Sequence, residues 1–181
     1  MYSTSLQVSL TIGKRQLIYS STLLLILFSL IGSHLSHAGK PLEEGDLAPD
    51  WILSNSHNES ISFYRDTASN NSVILFWATW CPYCKALMPE LEKLRTEIND
   101  PSFKFFALNI WEDSDPIEFL KENNYGFTLI LNADKVAKRY QVNGTPGLFV
   151  VDKDKKIIYT RKKGEKPKDV YNAIKKILAE D

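Results

Sequence analysis

Cysteine is scarce in this 181-residue chain: there are two, Cys81 and Cys84, and no second pair. A structural zinc site takes four ligands, commonly two such pairs, so these two thiols alone argue against that class. The three histidines do not complete it, because His34 and His37 fall in the N-terminal segment and His57 stands alone in a polar loop. So few cysteines also exclude a disulfide-stapled scaffold, and the fold must be held by packing. Net charge is absent as well: 22 Lys and Arg meet 22 Asp and Glu. That balance leaves no footprint for a nucleic-acid partner. There are no internal repeats, no low-complexity tract and no methionine-rich or histidine-rich stretch.

Charge is missing in one further place. From Gln16 to Gly39 there is no Asp, Glu, Lys or Arg; Lys14 and Arg15 precede this stretch, its apolar centre is Leu23 to Ile31, and Ser36-His37-Ala38 follows. This is the pattern of a secretory signal peptide, with small residues at positions −3 and −1 of a cut before Gly39. The competing reading is an uncleaved membrane anchor, since the uncharged stretch can cross a bilayer with tilt, although its strongly apolar part has the length of a signal core. No cysteine lies near the cut, which argues against a lipoprotein. The expected organisation is therefore a leader over 1–38 and one domain over 39–181, whose 143 residues suffice for a proper core. The expected location is the periplasm, with inner-membrane anchoring if the leader stays.

What the chain does have is Trp80-Cys81-Pro82-Tyr83-Cys84-Lys85, set between two readable elements. Ser72–Trp77 reads as a buried strand, and the apolar residues Leu87, Leu91, Leu94 and Ile98 follow at helical spacing. Cys81 therefore falls where a strand gives way to the first turn of a helix. Free N–H groups and the positive end of the helix dipole converge there and favour a thiolate over a thiol. Cys-x-x-Cys pairs of this kind have pKa values of roughly 3.5 to 7.5, against about 8.5 for an unperturbed cysteine. Cys81 is the expected nucleophile. Cys84, one turn further in and more buried, is the expected resolving thiol, attacking the mixed disulfide that Cys81 forms with a substrate. A purely structural disulfide is the alternative, but a bridge over so short a loop removes little entropy from the unfolded chain. In an exported protein idle thiols tend to be oxidised, so a lone pair reads as one reserved for turnover.

The rest of the chain alternates. Trp51–Ser54 and Ser60–Phe63 read as a short hairpin around Asn55–Asn58. A helix over 83–98 containing Pro89, a strand over 103–110 and a helix opened by Asp115-Pro116 follow. Then come a strand over 127–131, a helix over 133–140, the turn Gly144-Thr145-Pro146-Gly147, a hairpin of 148–151 with 157–161, and a helix over 168–179. Between Lys153 and Lys168 eight of sixteen residues are Lys or Arg; interruption by Asp154 and Glu165 makes this a solvated turn and helix start. Asn58-Glu59-Ser60 and Asn70-Asn71-Ser72 match the glycosylation pattern by loop polarity alone. Alternating strands and helices that end in a hairpin and a helix predict an α/β fold, a mixed sheet with helices on both faces and its site at a strand's carboxyl end.

Phe76-Trp77-Ala78-Thr79-Trp80-Cys81-Pro82-Tyr83-Cys84-Lys85, then Met88-Pro89-Glu90-Leu91, and later Gly144-Thr145-Pro146, resemble the thioredoxin superfamily and its exported TlpA/ResA-like branch. Ala48-Pro49-Asp50-Trp51 resembles the start of that branch's N-terminal hairpin, 112–140 its central strand–helix insertion, and Phe149-Val150-Val151-Asp152 the strand after the active-site proline. The resemblance covers nearly all of 46–181. It implies a thioredoxin fold with those two additions and a thiol:disulfide oxidoreductase whose only redox group is the Cys81–Cys84 pair, with no metal and no other cofactor. It implies that Pro146 is a cis-proline facing the disulfide, that Thr145 offers its backbone to an extended substrate segment, and that Trp80, Pro82 and Tyr83 rim the site. The partners implied are protein thiols and disulfides and a membrane electron donor, with the chain a monomer.

Three positions depart from the pattern. Thioredoxins carry a buried Asp where this chain has Leu75; some ResA-like proteins carry a Glu where it has Leu87; cytochrome-maturation members often carry an acid where it has Gly147. Proton handling is left to water, or to Glu112 or Asp113 at a strand end. The direction of electron flow stays open at this point: a reductant is the first reading, a disulfide oxidant or isomerase the second. A non-catalytic Cu(I) chaperone using the same thiols as soft ligands is the third, and Met88 then reads as helix packing.

Overall fold

The computed structural model describes residues 40–179, so the signal-peptide and anchor readings lie outside the described residues. In chain order the elements begin with β1 (Ile52–Ser54), β2 (Ser60–Ser62), α1 (Phe63–Asp66), β3 (Ser72–Trp77), α2 (Pro82–Ile98) and β4 (Lys104–Asn109). They continue with α3 (Pro116–Glu122), β5 (Thr128–Ile130), α4 (Asp134–Arg139), β6 (Gly147–Val151), β7 (Ile157–Thr160) and α5 (Pro167–Ala179). Among the described residues no helix is long and apolar enough to cross a membrane.

Strand β3 is buried along its whole length, and the alternation of side chains along it builds two cores. Val73, Leu75 and Trp77 enter one together with Leu87, Leu91 and Leu94 of α2 and Val170 and Ile174 of α5. Ile74 and Phe76 enter the other with Val136, Ala137 and Tyr140 from α4 and its end, and with Trp51 and Phe63. The sheet order is β5-β4-β3-β6-β7. Strand β4 runs parallel to β3, from Ser72↔Lys104 to Trp77↔Asn109, while β6 runs antiparallel, from Ser72↔Val151 to Phe76↔Gly147. Helix α2 makes the crossover from β3 to β4, and this places its start at the carboxyl end of the central strand. The result is the mixed sheet with helices on both faces that the sequence predicts, with the N-terminal hairpin and the strand–helix insertion in place.

One element differs from the sequence reading. Phe63 does not end the second hairpin strand but opens the single-turn helix α1, because the Ser62 amide is taken by the Asp66 carboxylate at 2.8 Å. The turn delivers Phe63 into the core, where its ring stacks on Trp51 at 5.4 Å and meets Phe106 edge-on at 6.1 Å. Stacked and edge-on rings of this kind contribute beyond their buried area.

The segment from Gly45 to Ser56 reaches both outer strands. Leu47 bridges Lys156 at the start of β7, with Gly45 donating to Ile157 and Ala48 to Lys155 at 2.8 and 2.9 Å. Further along, Asn55 bridges Ile130, and Ser56 donates to Leu129 at the β5 rim. Lys155 itself is buried, donates its Nζ to the Thr67 carbonyl, and lies 6.0 Å from the Phe63 ring centre.

Candidate active site

Helix α2 opens with Cys81 as its N-cap in an extended conformation, and Pro82 occupies the first helical position, where a missing N–H costs nothing. The Cys81 Sγ takes the place of the usual capping oxygen: it accepts the Cys84 amide at 3.1 Å. The two sulfurs are bonded to each other across a Cα–Cα distance of 5.2 Å. Cys81 is 1 % exposed and Cys84 0 %. The expected contrast in burial between the two thiols is therefore nearly absent, and their asymmetry is positional: one caps the helix and the other lies inside its first turn.

Trp80 is 47 % and Tyr83 71 % exposed, and Pro82 is also at the surface. Trp80 is held by its indole N–H, which donates to the Trp111 carbonyl at 2.7 Å. Thr145 is half-buried and Pro146 buried, and the peptide bond between them is cis. The β3–β6 ladder stops at Phe76↔Gly147, so Thr145 lies beyond it. Tyr83, Thr145 and Pro146 line one cavity of about 380 Å³; Trp80 instead lines another, of about 430 Å³, with Thr79. The structure thus brings three of the five expected contact residues together and sets Trp80 in a separate cavity.

The loop before Cys81 is held by Glu112. One carboxylate oxygen accepts the Thr79 amide at 2.9 Å and the Asn109 side-chain amide at 2.6 Å. The other accepts the Thr79 hydroxyl at 2.6 Å and the amides of Asp113 and Ser114. Burial pushes the Glu112 carboxyl up, but the hydrogen bonds from Thr79 and Asn109 outweigh it and hold the group below its ordinary value. This changes the sequence reading of Glu112 as a candidate proton carrier: an ionised carboxylate whose two oxygens meet five donors is a clamp. Thr79, Asn109 and Trp111 were not singled out from sequence. The available sign was polarity at the ends of two apolar strands, since buried Thr79 and Asn109 demand partners. Trp111 carries a positive φ of 52°, which no sequence rule assigns to a tryptophan.

Leu75 and Leu87 are buried in the same apolar cluster as both cysteines. Met88 is packed there too, fully buried. Among the described residues no group of three or more His, Cys, Asp or Glu side chains is arranged to hold a metal ion.

With its sheet order and a bonded Cys-x-x-Cys capping the helix that follows the central strand, the chain falls in the class of thioredoxin-fold redox proteins. Comparison with known proteins narrows this. The chain belongs to the Redoxin family, whose model matches residues 43–177. It is a TlpA/ResA-like member of the thioredoxin superfamily and a thiol:disulfide oxidoreductase. It is 26 % identical over 151 residues to the thiol-disulfide oxidoreductase ResA of Bacillus subtilis (strain 168), covering 80 % of this chain and 84 % of that one. To ResA of Geobacillus kaustophilus it is 27 % identical over 150 residues, covering 78 % and 84 %. Among solved structures it is similar to a Chlorobium tepidum protein assigned as a thiol:disulfide interchange protein DsbE, with a TM-score of 0.65, 26 % identity and coverage of 76 % and 97 %. The thioredoxin domain of a Bacteroides vulgatus thiol-disulfide oxidoreductase shares the fold at a TM-score of 0.63 and 22 % identity, covering 76 % and 99 %.

Proposed function

We propose that this chain is a periplasmic reductant of protein disulfides, with Cys81 as nucleophile, Cys84 as resolving thiol and no cofactor beyond this pair. The observation that carries the reading is the Cys81 sulfur at the N-cap, accepting the Cys84 amide at 3.1 Å. In the reduced protein the same amide and the helix N-terminus stabilise a Cys81 thiolate. That thiolate attacks one sulfur of a partner disulfide, whose S–S bond breaks and releases one partner thiolate, which takes up a proton. Cys84 then loses its proton and attacks the Cys81 sulfur of the mixed disulfide. The partner leaves as a dithiol, two electrons richer, and this chain is left with the Cys81–Cys84 disulfide. A membrane electron donor returns it to the dithiol, while the chain itself acts as a monomer.

The reducing direction follows from the resemblance to the ResA-like branch; such proteins span roughly −270 to −120 mV, so the potential of the pair is the quantity that decides it. Export is supported by the charge-free stretch after Lys14 and Arg15.

Two measurements test this. Insulin reduction by the wild type should disappear in Cys81→Ser, and Cys84→Ser should instead accumulate mixed disulfides with periplasmic proteins on Cys81. Equilibration with a glutathione buffer should place the pair near the reducing end; a potential near about −120 mV would reverse the proposed direction. An inactive wild type that binds Cu(I) tightly through both thiols would favour the chaperone reading.

A further inference from the structure

The two cavities lined by the chain neighbours of the cysteines, Trp80 in one and Tyr83 in the other, carry opposite charge. On the Trp80 side the lining includes Asp113, Asp115, Glu118 and Glu122, against one ammonium, Lys85. Asp115 caps α3, Glu118 lies 3.4 Å from Lys121, and Lys85 sits 5.5 Å over the Phe119 ring. Asp113 and Glu122 enter no ion pair among the described residues, and both are exposed. On the Tyr83 side the lining includes Arg161, Lys163 and Lys166 against one carboxylate, Glu165, whose oxygen is taken by the Lys162 amide at 2.8 Å. The Arg161 Nε is buried without an acceptor, and Pro167, at the start of α5, brings that helix's positive end to the same wall.

Resting on the oxidoreductase reading, we propose that the site selects its substrate by charge order. The segment it takes is an extended stretch of polypeptide whose cysteine has Lys or Arg on the side that lies along Trp80 and Asp or Glu on the side that lies along Tyr83 and Thr145. A single exposed charge pair contributes little. Several charges of one sign in a concave wall act together on the approach of a partner, and their effect shows in rate and in salt dependence. The walls are built by separate parts of the chain, residues 113–122 and 161–167, so each can be altered without touching the cysteines. Both walls are needed for order. One wall alone would prefer a sign of charge, whereas two of opposite sign fix which way round the segment lies.

The test uses the reduced protein and three synthetic peptides with one cysteine each, held as a mixed disulfide with thionitrobenzoate. One peptide is neutral, one reads Lys-Lys-Cys-Glu-Glu and one Glu-Glu-Cys-Lys-Lys. Cys81 attacks the peptide sulfur, thionitrobenzoate leaves and is counted by its colour, and Cys84 then frees the peptide thiol. At low salt one charged order should react about fivefold faster than the other. The ratio should fall toward one in 1 M salt, where the screening length is about 3 Å. Asp113→Lys with Glu122→Lys should shrink it, as should Lys163→Glu with Lys166→Glu, and all four together should invert it. Equal rates for the two orders, or a ratio that survives high salt and charge reversal, overturns the proposal while leaving the oxidoreductase reading intact. Salt-sensitive dimers in sedimentation, with no order preference, would assign the walls to a second copy of the chain and also overturn it. Failure to react even with the neutral peptide would remove the oxidoreductase reading, and the charge-order proposal with it.

Discussion

The Glu112 carboxylate accepts both the amide and the hydroxyl of Thr79, at 2.9 and 2.6 Å, tying the residue two before Cys81 to the loop that leaves β4. Glu112→Gln replaces one acceptor oxygen by a donor that faces donors. Its cost should be about 1–3 kcal/mol, the usual range for stranding buried polar groups. The pH dependence has a definite sign. Because the folded carboxyl is held below its ordinary value of 4.5, its contribution is complete above that pH and is lost as pH falls through the lower folded value. Urea melts of the two proteins should differ at neutral pH and converge in acid; a gap that widens in acid contradicts the clamp.

Trp111 holds a φ of 52° while its carbonyl receives the Trp80 indole at 2.7 Å. A left-handed conformation costs a residue with a Cβ about 1–2 kcal/mol, and glycine escapes that cost. Trp111→Gly should therefore be more stable than Trp111→Ala by about 1 kcal/mol, reversing the usual order of these residues. Thermal melts compare them. Equal melting temperatures would show that the backbone relaxes once the ring is gone.

Leu75 occupies the position at which thioredoxins carry a buried acid, and here it is enclosed in the same apolar cluster as both cysteines. A carboxyl introduced by Leu75→Asp would be desolvated and its folded pKa raised above the unfolded value of about 3.9. The variant should be most stable below that value and lose stability as pH rises through the raised folded one. Denaturation at pH 5 and pH 8 should show the lower midpoint at pH 8; equal midpoints would mean that the site is already wet.

Gly147 follows the cis-proline, and a Cβ built there would stand 3.0 Å from both methyls of Val142 and 3.5 Å from Phe76. This gives a steric reason why the acid found at this place in cytochrome-maturation proteins is missing. Gly147→Ala should cost about 1–3 kcal/mol by overpacking. Combined with Val142→Ala the cost should be less than the sum of the two, with a coupling of about 0.5 kcal/mol or more. Strict additivity in a double-mutant cycle would separate the two sites.

Much of this was legible beforehand because it is local. The apolar run Ser72–Trp77 marks β3 and the spacing of Leu87, Leu91 and Leu94 marks α2, and their junction fixes where Cys81 sits. What was not legible depends on distant partners. The role of Glu112 follows from Thr79, 33 residues earlier, and that of Lys155 from Thr67, 88 residues away. The opposed walls are hidden for a similar reason. The run from Lys153 to Lys168 reads as solvated charge until folding sets Arg161, Lys163 and Lys166 beside Tyr83. Phe63 reads as the end of a strand in the sequence because a one-turn helix carries no period.

The segment that laps the β5 rim with Asn55 and Ser56 and the β7 rim with Gly45 to Ala48 has a consequence for life at high concentration. A bare outer strand is a template on which a second molecule can grow, and crowded compartments punish such edges with fibres and clumps. Here one stretch of chain blunts both rims where they are reached.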